Sequence, residues 1–583
     1  MVALLAATVV PGAVSTADPV DPQAPPTTEA VGALTGRIAG ADRYASAVQI
    51  SRWRYADPAA ADVVYLARGD VFADALTAGS LSDGPVLLTR GGCGGVPGAV
   101  LQEIERLDPD QVIALGGPLA VCDEALQAAA QGRPTDRIGG ATRAETAALI
   151  ALRAYPAGAP RVYLTRGQIT PDAVVGGSLS DGPLLLTNGE GDGIPQETRA
   201  AIEAVAPTTV VALGGPFAVS EEALASAAAG RPTDRLAGPD RYATAVAIAR
   251  YAYPSRTGRV YLARGDGENF VDAVAAGMLV DGPVLLTPGT CERVHRRTDA
   301  FLDERHPSRV VALGGRSALC DSTLRGAALA ARPAPDCAQV ACVALTFDDG
   351  PSWPTPQLLD TLAAKRVPAT FFVVGQQVDA NGGHSRRAHV EGHAVENHTW
   401  SHPEMNRLTR AQQQEQVDAV DAELDRWGVA APRLMRPPYG AYNTDTRNLG
   451  FPLIIWDVDP QDWRGYSTSY IRNHVVTYTR PGSIVLQHDV HINSVNAVPG
   501  IVDDLLARGY TFVTVEELVP DMEPGDLVYR RDHVVPLSVP AEAGDPVVLP
   551  DGTDLGVLLD GAGIEGIAPA LSLEEILQGL AEE

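Results

Sequence analysis

The feature that most constrains the fold of this chain is a segment that recurs three times in its first half. RIAGADRYASAV begins at Arg37, RIGGATRAETAA at Arg137 and RLAGPDRYATAV at Arg235, so the repeat is about 100 residues long. Each start is followed by a β-branched strand, an acidic helix start, a DGPxLLT turn and strand, an amphipathic helix and a strand ending in ALGG. Short apolar strands alternating with helices predict βαβ units around a parallel sheet. The first half is therefore expected to be an α/β structure of three similar units.

Bulk composition and spacing argue against several classes of partner. The formal net charge of −27 argues against nucleic acid, whose recognition requires clustered Lys and Arg. No run of about 20 apolar residues occurs inside the chain, so no membrane span is expected. The glycine pairs after the ALGG strands lack the G-x-G-x-x-G spacing and the following acid of a dinucleotide site. We therefore expect none of these three partners.

The N-terminus and the cysteines both favour export. The apolar start followed by Ser15-Thr16-Ala17 is typical of a secretory signal and its cleavage site, although the usual basic residues are missing. The first and third repeats carry cysteines at matching positions and the middle repeat lacks both, which predicts disulfides rather than buried free thiols. Six pairable cysteines suit an oxidising compartment. The expected pairs are Cys93 with Cys122, Cys291 with Cys320, and Cys337 with Cys342.

The repeats resemble a Gram-positive family known as cell wall binding repeat 2. The resemblance is carried by R-I/L-x-G-x-x-R, the L-x-R-G strand, DGPxLLT and ALGG. It implies three Rossmann-like βαβ repeats in a pseudo-threefold unit that binds anionic wall polymer non-covalently. The middle repeat departs from its sisters, since Ala144 stands where they have Tyr44 and Tyr242. Equal binding by all three repeats is therefore not implied.

Arginines recur at two registers of the repeats and suit the phosphate or carboxylate groups of such a polymer. The alternative is an ion pair inside the molecule with acidic residues that also recur. Because the sequence leaves both open, we assign no binding role to these arginines. The arginines are Arg43, Arg143, Arg241, Arg68, Arg166 and Arg264, and the acidic residues are Asp74, Asp172 and Asp272.

Two motifs after residue 342 predict a metal centre. The strand Val343-Ala344-Leu345-Thr346-Phe347 runs into Asp348 and Asp349, whose carboxylates can share a pocket only where Gly350-Pro351 breaks the strand. His398 and His402 are spaced i and i+4, so on a helix or helical turn both imidazoles would face one cation. Two histidines and one aspartate would leave an open position for water on zinc.

Three further polar motifs follow in order, each near the end of a predicted strand or in a stiff turn. They are RPPYG at Arg436, DPQDW at Asp459 and the strand SIVLQHD, which contains His488. Polar groups gathered at the C-terminal ends of successive strands are typical of active sites in α/β barrels. Three other histidines lie in no matching motif and are predicted to be structural or surface residues: His384, His389 and His393.

The ordered set TFDDG, HTWSH, RPPYG, DPQDW and LQH resembles the NodB-type polysaccharide deacetylases, carbohydrate esterase family 4. The resemblance covers roughly residues 340–520 and implies a distorted (β/α)7 barrel. It also implies that zinc (Zn2+) or another divalent transition metal is held by Asp349, His398 and His402.

The same resemblance implies the remaining roles in the site. Asp348 takes the proton from the attacking water and Arg436 orients Asp348. His488 protonates the departing amine and Asp462 keeps His488 charged. The backbone N–H of Tyr439 holds the oxyanion. The substrate contacts are expected at Trp463, Leu486 and Tyr439.

Together the motifs divide the chain into segments. They are a signal-peptide remnant at 1–17, a linker at 18–35, cell-wall-binding repeats at 36–132, 133–230 and 231–331, a NodB-type deacetylase domain at 337–520, and a C-terminal extension of unassigned role at 521–583. In the extension, YRRDHVVPLSV predicts a strand and SLEEILQGLAEE a short helix.

We therefore expect a secreted, cell-wall-associated, metal-dependent deacetylase that removes N-acetyl groups from amino sugars. The wall-binding repeats favour peptidoglycan N-acetylglucosamine as the substrate. One alternative is an O-acetyl esterase acting on xylan or another acetylated polysaccharide. The other is a non-catalytic surface protein that only binds the wall.

Overall fold

The structure, a computed structural model, describes residues 31–71, 73–167, 171–188, 193–266, 271–289 and 291–538. The predicted signal segment and the predicted C-terminal helix lie outside these residues. Among the described residues, no helix is long and apolar enough to cross a bilayer.

Strands and helices alternate through most of the described chain. The strands are β1 (Leu34–Ile38), β2 (Val63–Arg68), β3 (Val86–Thr89), β4 (Gln111–Leu115), β5 (Thr135–Ile138), β6 (Arg161–Arg166), β7 (Leu184–Thr187), β8 (Thr209–Leu213), β9 (Thr233–Leu236), β10 (Arg259–Arg264), β11 (Val284–Thr287), β12 (Arg309–Leu313), β13 (Cys342–Asp348), β14 (Thr370–Val373), β15 (Ala394–Asn397), β16 (Leu453–Ile454), β17 (Ser483–His488), β18 (Thr511–Val513), β19 (Leu527–Arg530) and β20 (His533–Val535). The α-helices are α1 (Arg43–Arg54), α2 (Ala73–Thr77), α3 (Gly98–Leu107), α4 (Asp123–Ala130), α5 (Arg143–Ala154), α6 (Pro171–Gly176), α7 (Gln196–Val205), α8 (Glu221–Ala228), α9 (Arg241–Ala252), α10 (Arg296–Arg305), α11 (Asp321–Ala330), α12 (Thr355–Lys365), α13 (Gly375–Val390), α14 (Arg410–Arg426), α15 (Thr444–Arg447), α16 (Thr468–Tyr478), α17 (Ile492–Ala507) and α18 (Val515–Leu518).

The repeats form three parallel four-stranded sheets, in the orders β3-β2-β4-β5, β7-β6-β8-β9 and β11-β10-β12-β1. Central strands such as β2 are apolar on both faces because helices cover both sides of the sheet. The recurring D-R or T-R pair starts the first helix of each repeat, since the side chains of Asp42, Thr142 and Asp240 accept backbone N–H groups as N-caps. The predicted α/β repeats are confirmed.

The strand that opens each sequence repeat belongs to the sheet of another repeat. β5 completes the first sheet, β9 completes the second, and β1 closes the ring by pairing with β12 of the third. Each sequence repeat, predicted at 36–132, 133–230 and 231–331, therefore contributes three strands to its own sheet and its opening strand to the sheet of another repeat. The exchange ties the three repeats into one unit.

Three glycines meet where the repeats converge. A Cβ built on Gly79 would lie 2.9 Å from the Cα of Gly177, one on Gly177 would lie 2.9 Å from the Cα of Gly277, and one on Gly277 would lie 2.9 Å from the Cα of Gly79. Only residues without a side chain allow this mutual approach. The cyclic contact marks the pseudo-threefold axis that the resemblance implied.

The three predicted disulfides are confirmed: Cys93–Cys122, Cys291–Cys320 and Cys337–Cys342. Of the recurring arginines, Arg68 forms an ion pair inside the molecule, which was one of the two alternatives, but its partner is Asp70 at 2.7 Å and not the recurring Asp74. Arg264 likewise pairs with Asp266 at 2.8 Å. In both repeats the arginine pairs with the acid two residues after it, because that residue lies just beyond the end of the same strand.

The second half is built on one curled eight-stranded sheet. Its order is β15-β14-β13-β17-β19-β16, with β18 on β13 and β20 on β19. Single bridges from Met435 to Asn397 and to Leu453 link the two ends, which gives the distorted α/β barrel. β19 and β20 lie within this sheet, so the predicted domain boundary at residue 520 falls inside it. In the segment predicted to be one strand, YRRDHVVPLSV, residues 529–535 instead belong to the antiparallel hairpin of β19 and β20.

The third repeat contacts the barrel directly. Arg325 pairs with Asp360 and Glu391, and Arg332 donates to Glu517 at 2.6 Å. These contacts join the repeat unit to the helices of the barrel and not to the ends of its strands.

Candidate metal centre and active site

The two adjacent aspartates lie where β13 ends. Asp348 is the last residue of the strand and its side chain is buried. Asp349 has a φ of +71°, which breaks the alternation of the strand and brings its carboxylate to the same pocket. Both carboxylates lie near the imidazole of His398.

The two motif histidines lie on a loop, and the predicted helix or helical turn is wrong. Backbone φ values of +66° at Thr399 and +58° at His402 exclude a helix across this segment. The loop is held by Asn397, whose side-chain oxygen accepts the N–H of Thr399, and by Thr399, whose hydroxyl accepts the N–H of His402. The imidazoles of His398 and His402 still meet, with centroids 4.9 Å apart.

Three ligand atoms converge on one point. Asp349 Oδ1 lies 3.5 Å from His398 Nε2 and 3.1 Å from His402 Nε2. This carboxylate oxygen is buried without a hydrogen-bond partner. Burial alone would raise the pKa of Asp349, but the two imidazoles hold it well below its usual range. The carboxylate is therefore anionic and aimed at the two imidazoles.

The Nδ1 atoms of both histidines, which face away from Asp349, make contacts that orient the two rings. His398 Nδ1 contacts the backbone carbonyl oxygen of Arg436 at 2.7 Å, a contact in which the ring nitrogen donates. In the neutral imidazole the lone pair of His398 therefore lies on Nε2, where it faces Asp349. His402 Nδ1 lies 3.1 Å from the hydroxyl of Tyr439. Two imidazoles and one carboxylate whose orientations are fixed in this way fit a divalent transition metal with an open position.

Asp348 is held by an arginine and not by the cluster. Arg436 Nη1 donates to Asp348 Oδ1 at 2.7 Å and to the hydroxyl of Thr346 at 2.7 Å. The other two nitrogens of the Arg436 guanidinium donate to the carbonyls of Ile454 and Ile455. The Arg436 side chain is fully buried. Asp348 Oδ2 lies 3.7 Å from His398 Nε2, beside the cluster.

A second carboxylate–imidazole pair borders the site. Asp462 Oδ1 accepts from His488 Nδ1 at 2.7 Å, and its other oxygen accepts the backbone N–H of His488 at 2.8 Å. Burial alone would lower the pKa of His488, but the hydrogen bond and charge of Asp462 raise it to about 9. His488 is therefore a cation at neutral pH.

The three expected substrate contacts occupy the rim and one wall. Tyr439 has a φ of +61° in the turn Pro438–Gly440 and its side chain is 67% exposed. Trp463 directly follows Asp462 and is half exposed. Leu486 is buried on β17, on the same face as His488 because strand residues alternate.

Sequence reasoning missed the buried carboxyl of Asp489. Its Oδ2 accepts from the Thr355 hydroxyl, and a side chain on Gly350 would overlap its carboxylate. Burial raises the pKa of Asp489 to about 7. The only sequence signal for it is its position directly after His488.

The three other histidines take no part in the cluster. His384 and His389 lie on α13, and His393 follows it. Burial lowers the pKa of His389 to about 4 and that of His393 to about 3. Burial also lowers the pKa of His384, so the neutral form of all three imidazoles is favoured.

Two protein-family models match this chain. Residues 336–451 match the model for polysaccharide deacetylase. Residues 37–126, 137–224 and 235–324 match the model for cell wall binding domain 2. The first match covers the barrel from β13 to the residues just before β16, and the second covers most of each repeat.

Known proteins match the barrel half. The chain is 40% identical to the peptidoglycan-N-acetylglucosamine deacetylase PgdA of Listeria monocytogenes over 30% of this chain and 38% of that one, so it spans well under half of that relative. It is 41% identical to a chitooligosaccharide deacetylase of Sinorhizobium fredii over 32% of this chain and 88% of that one. A solved structure of the peptidoglycan deacetylase PdaC from Bacillus subtilis is 36% identical, covers 31% of this chain and 90% of that one, and has a TM-score of 0.30.

The segment that matches the deacetylase model contains most of the site residues described above. The elements that carry Asp348, Asp349, His398, His402 and Arg436 all lie within the matched deacetylase segment. The chain belongs to the polysaccharide deacetylases, carbohydrate esterase family 4, and carries three cell wall binding domain 2 repeats ahead of its deacetylase domain.

Proposed function

We propose that this chain is a secreted, wall-associated, metal-dependent deacetylase that removes N-acetyl groups from peptidoglycan N-acetylglucosamine. The observation that carries the proposal is the division of labour between two adjacent carboxylates. Asp349 converges with His398 and His402, whereas Asp348 is held beside them by Arg436.

Asp349, His398 and His402 are the residues that would hold the metal. Each offers one ligand atom, and these atoms all lie within 4.8 Å of one another. Zinc or another divalent transition metal, when bound, supplies a Lewis acid for the acetyl carbonyl and lowers the pKa of water.

Asp348 is proposed as the general base. Its ion pair with Arg436 fixes the orientation of the carboxylate, so Asp348 accepts a proton from water as the new C–O bond forms. The negative charge that develops on the acetyl oxygen requires a preorganised donor. The backbone N–H of Tyr439, in a turn with positive φ, is assigned that role by the family resemblance.

His488 is proposed as the general acid. It is cationic beside Asp462 and donates its proton to the amide nitrogen as the C–N bond breaks. Acetate and the free amine of the sugar are the products. Trp463 at the rim and Leu486 in the wall are proposed to contact the sugar and the acetyl group.

Peptidoglycan is favoured by two lines of support. The matched relative from Listeria is named as a peptidoglycan-N-acetylglucosamine deacetylase. The cell wall binding repeats favour a substrate on the wall, and anionic wall polymer is their proposed ligand. Three disulfides support export to an oxidising compartment of a Gram-positive type bacterium.

Acetate release by the purified, zinc-loaded full chain tests the proposal. We expect release from peptidoglycan, with less from N-acetylglucosamine oligomers and little from acetylated xylan. Fastest release from acetylated xylan would instead indicate an O-acetyl esterase. No release from any of the three, with binding to walls retained, would indicate a non-catalytic surface protein.

A further inference from the structure

A polar groove lies between the first turns of α16 and α17, outside the metal centre. Its volume is about 570 Å³, within the range of roughly 300–1,000 Å³ typical of ligand sites. Its lining is rich in hydroxyl and amide groups. The polar side chains are Ser467, Thr468, Ser469, Arg472, Asn473, Asn493 and Asn496.

The groove opens at the active-site end of the barrel. α16 begins shortly after Asp462, and α17 begins shortly after His488. Residues that follow strands of an α/β barrel lie at the face where its active site forms. Asn493 Nδ2 donates to the carbonyl of Tyr466 at 3.1 Å, and the Thr468 hydroxyl donates to the carbonyl of Asn493 at 3.2 Å. The groove is therefore joined to the loop that carries Trp463.

A row of aromatic rings, which we call the aromatic ladder, runs along α16 from the same loop. Tyr466 and Tyr470 lie 4.2 Å apart between centroids, Tyr470 and His474 lie 5.9 Å apart, and His474 and Tyr478 lie 4.5 Å apart. The rings of each pair are tilted, and the i, i+4 spacing brings those on the helix to one of its faces. Tyr470 is 43% exposed and Tyr478 is 61% exposed.

The charges of the groove favour a neutral ligand. Arg472 donates twice to Asp504, at 2.7 Å each, so its guanidinium is neutralised by that carboxylate. The amide of Asn473 can donate and accept hydrogen bonds. Asn493 Nδ2 already donates to Tyr466, and Asn496 Oδ1 already accepts from Gln357 Nε2 at 2.8 Å, so Asn496 offers a ligand the donors of its amide nitrogen. A pyranose ring presents an apolar C–H face and a rim of hydroxyls, which match aromatic rings and amides respectively. Arg472 is the one cationic side chain among the described residues that line the groove, so an anionic polymer would have to compete with Asp504 for it.

We propose that this groove and the aromatic ladder bind further sugar residues of the polysaccharide chain whose acetyl group lies at the metal centre. The inference rests on the proposed function and adds a subsite to it. Longer chains contact both sites at once, whereas a disaccharide contacts only the metal centre. The groove therefore makes the enzyme prefer long chains over short ones.

Substitution of Asn473→Ala together with Asn496→Ala tests this directly. Each lost hydrogen bond is worth about 0.5–1.5 kcal/mol, so kcat/KM on an N-acetylglucosamine hexasaccharide should fall about tenfold. kcat/KM on the disaccharide should stay unchanged. Gln102→Ala removes an exposed amide from α3 of the first repeat, outside the groove, and should change neither value.

A binding measurement separates this inference from the proposed function. The Asp348→Asn chain should bind the hexasaccharide, and adding the two asparagine substitutions should weaken that binding about tenfold in calorimetry. Equal kcat/KM losses on both oligomers, or no loss of hexasaccharide binding, would contradict the proposal that the groove binds sugar. A wild-type chain that deacetylates neither oligomer would contradict the proposed function. The role of the groove would then be tested only by whether the two asparagine substitutions weaken hexasaccharide binding.

Discussion

Arg436 donates to Asp348 at 2.7 Å, and both side chains are almost completely buried. The guanidinium also lies 4.2 Å from the centroid of the Phe372 ring. A buried charge is tolerated only when it is paired and hydrogen-bonded, and this pair satisfies both conditions. The base is therefore oriented before any substrate arrives.

Arg436→Ala should destabilise the deacetylase domain as well as inactivate it. Breaking a buried pair leaves one charge uncompensated, so we expect the free energy of unfolding to fall by about 3–5 kcal/mol. Chemical denaturation followed by tryptophan fluorescence measures this, since five of the six tryptophans lie in that domain. Arg407→Ala removes an exposed pair with Glu404 and should cost less than about 1 kcal/mol. Similar losses for both variants would contradict the role of burial.

Asp462→Asn should move the alkaline limit of activity to lower pH. His488 must be protonated to act as an acid, and Asp462 raises its pKa to about 9, with smaller contributions from Asp348 and Asp349. The amide removes the largest of these charges, so the pKa of His488 falls and its proton is lost at lower pH. The pH profile of kcat/KM measures the shift. An unchanged alkaline limb would exclude His488 as the acid.

His398→Ala should lose the metal. One of three ligands disappears, and the two that remain cannot close a site of this geometry. Metal content after dialysis, measured by atomic emission, should fall well below one ion per chain. His384→Ala changes a histidine on α13 outside the cluster and should keep the metal. Full metal retention in His398→Ala would mean that the ion binds elsewhere.

Gly177→Ala should destabilise the repeat unit. Its new Cβ would lie 2.9 Å from the Cα of Gly277 on the pseudo-threefold axis, and overpacking of this kind costs about 1–3 kcal/mol. Thermal unfolding of the full chain measures the loss. Gly215→Ala is the matched control, because no atom lies within 4 Å of its built Cβ. Equal stability of both variants would argue against close packing at the axis.

Much of the site could be predicted because its residues are tied to strand ends. Asp348 ends β13 and His488 ends β17, positions that an apolar strand followed by a polar motif identifies from sequence alone. The disulfides could be predicted because Cys93 and Cys122 have counterparts in the third repeat and none in the middle repeat.

The structure differs from the sequence predictions where tertiary contacts determine the backbone conformation or the strand pairing. An i, i+4 pair such as His398 and His402 fits a helix or a loop equally well, and contacts with Asn397 select the loop. Sequence similarity among the repeats likewise cannot say which sheet β1 joins, because pairing with β12 spans nearly the whole repeat unit.

Metal content and acetate release measured together on Asp348→Asn test the central claim most directly. Asp348 is assigned as a base that holds no metal, so the variant should bind one zinc ion per chain as wild type does. Its acetate release from peptidoglycan should fall by at least about 100-fold, the lower end of the contribution of general base catalysis. A variant that keeps turnover near the wild-type rate, or that loses its zinc, would contradict the separation of roles between Asp348 and Asp349.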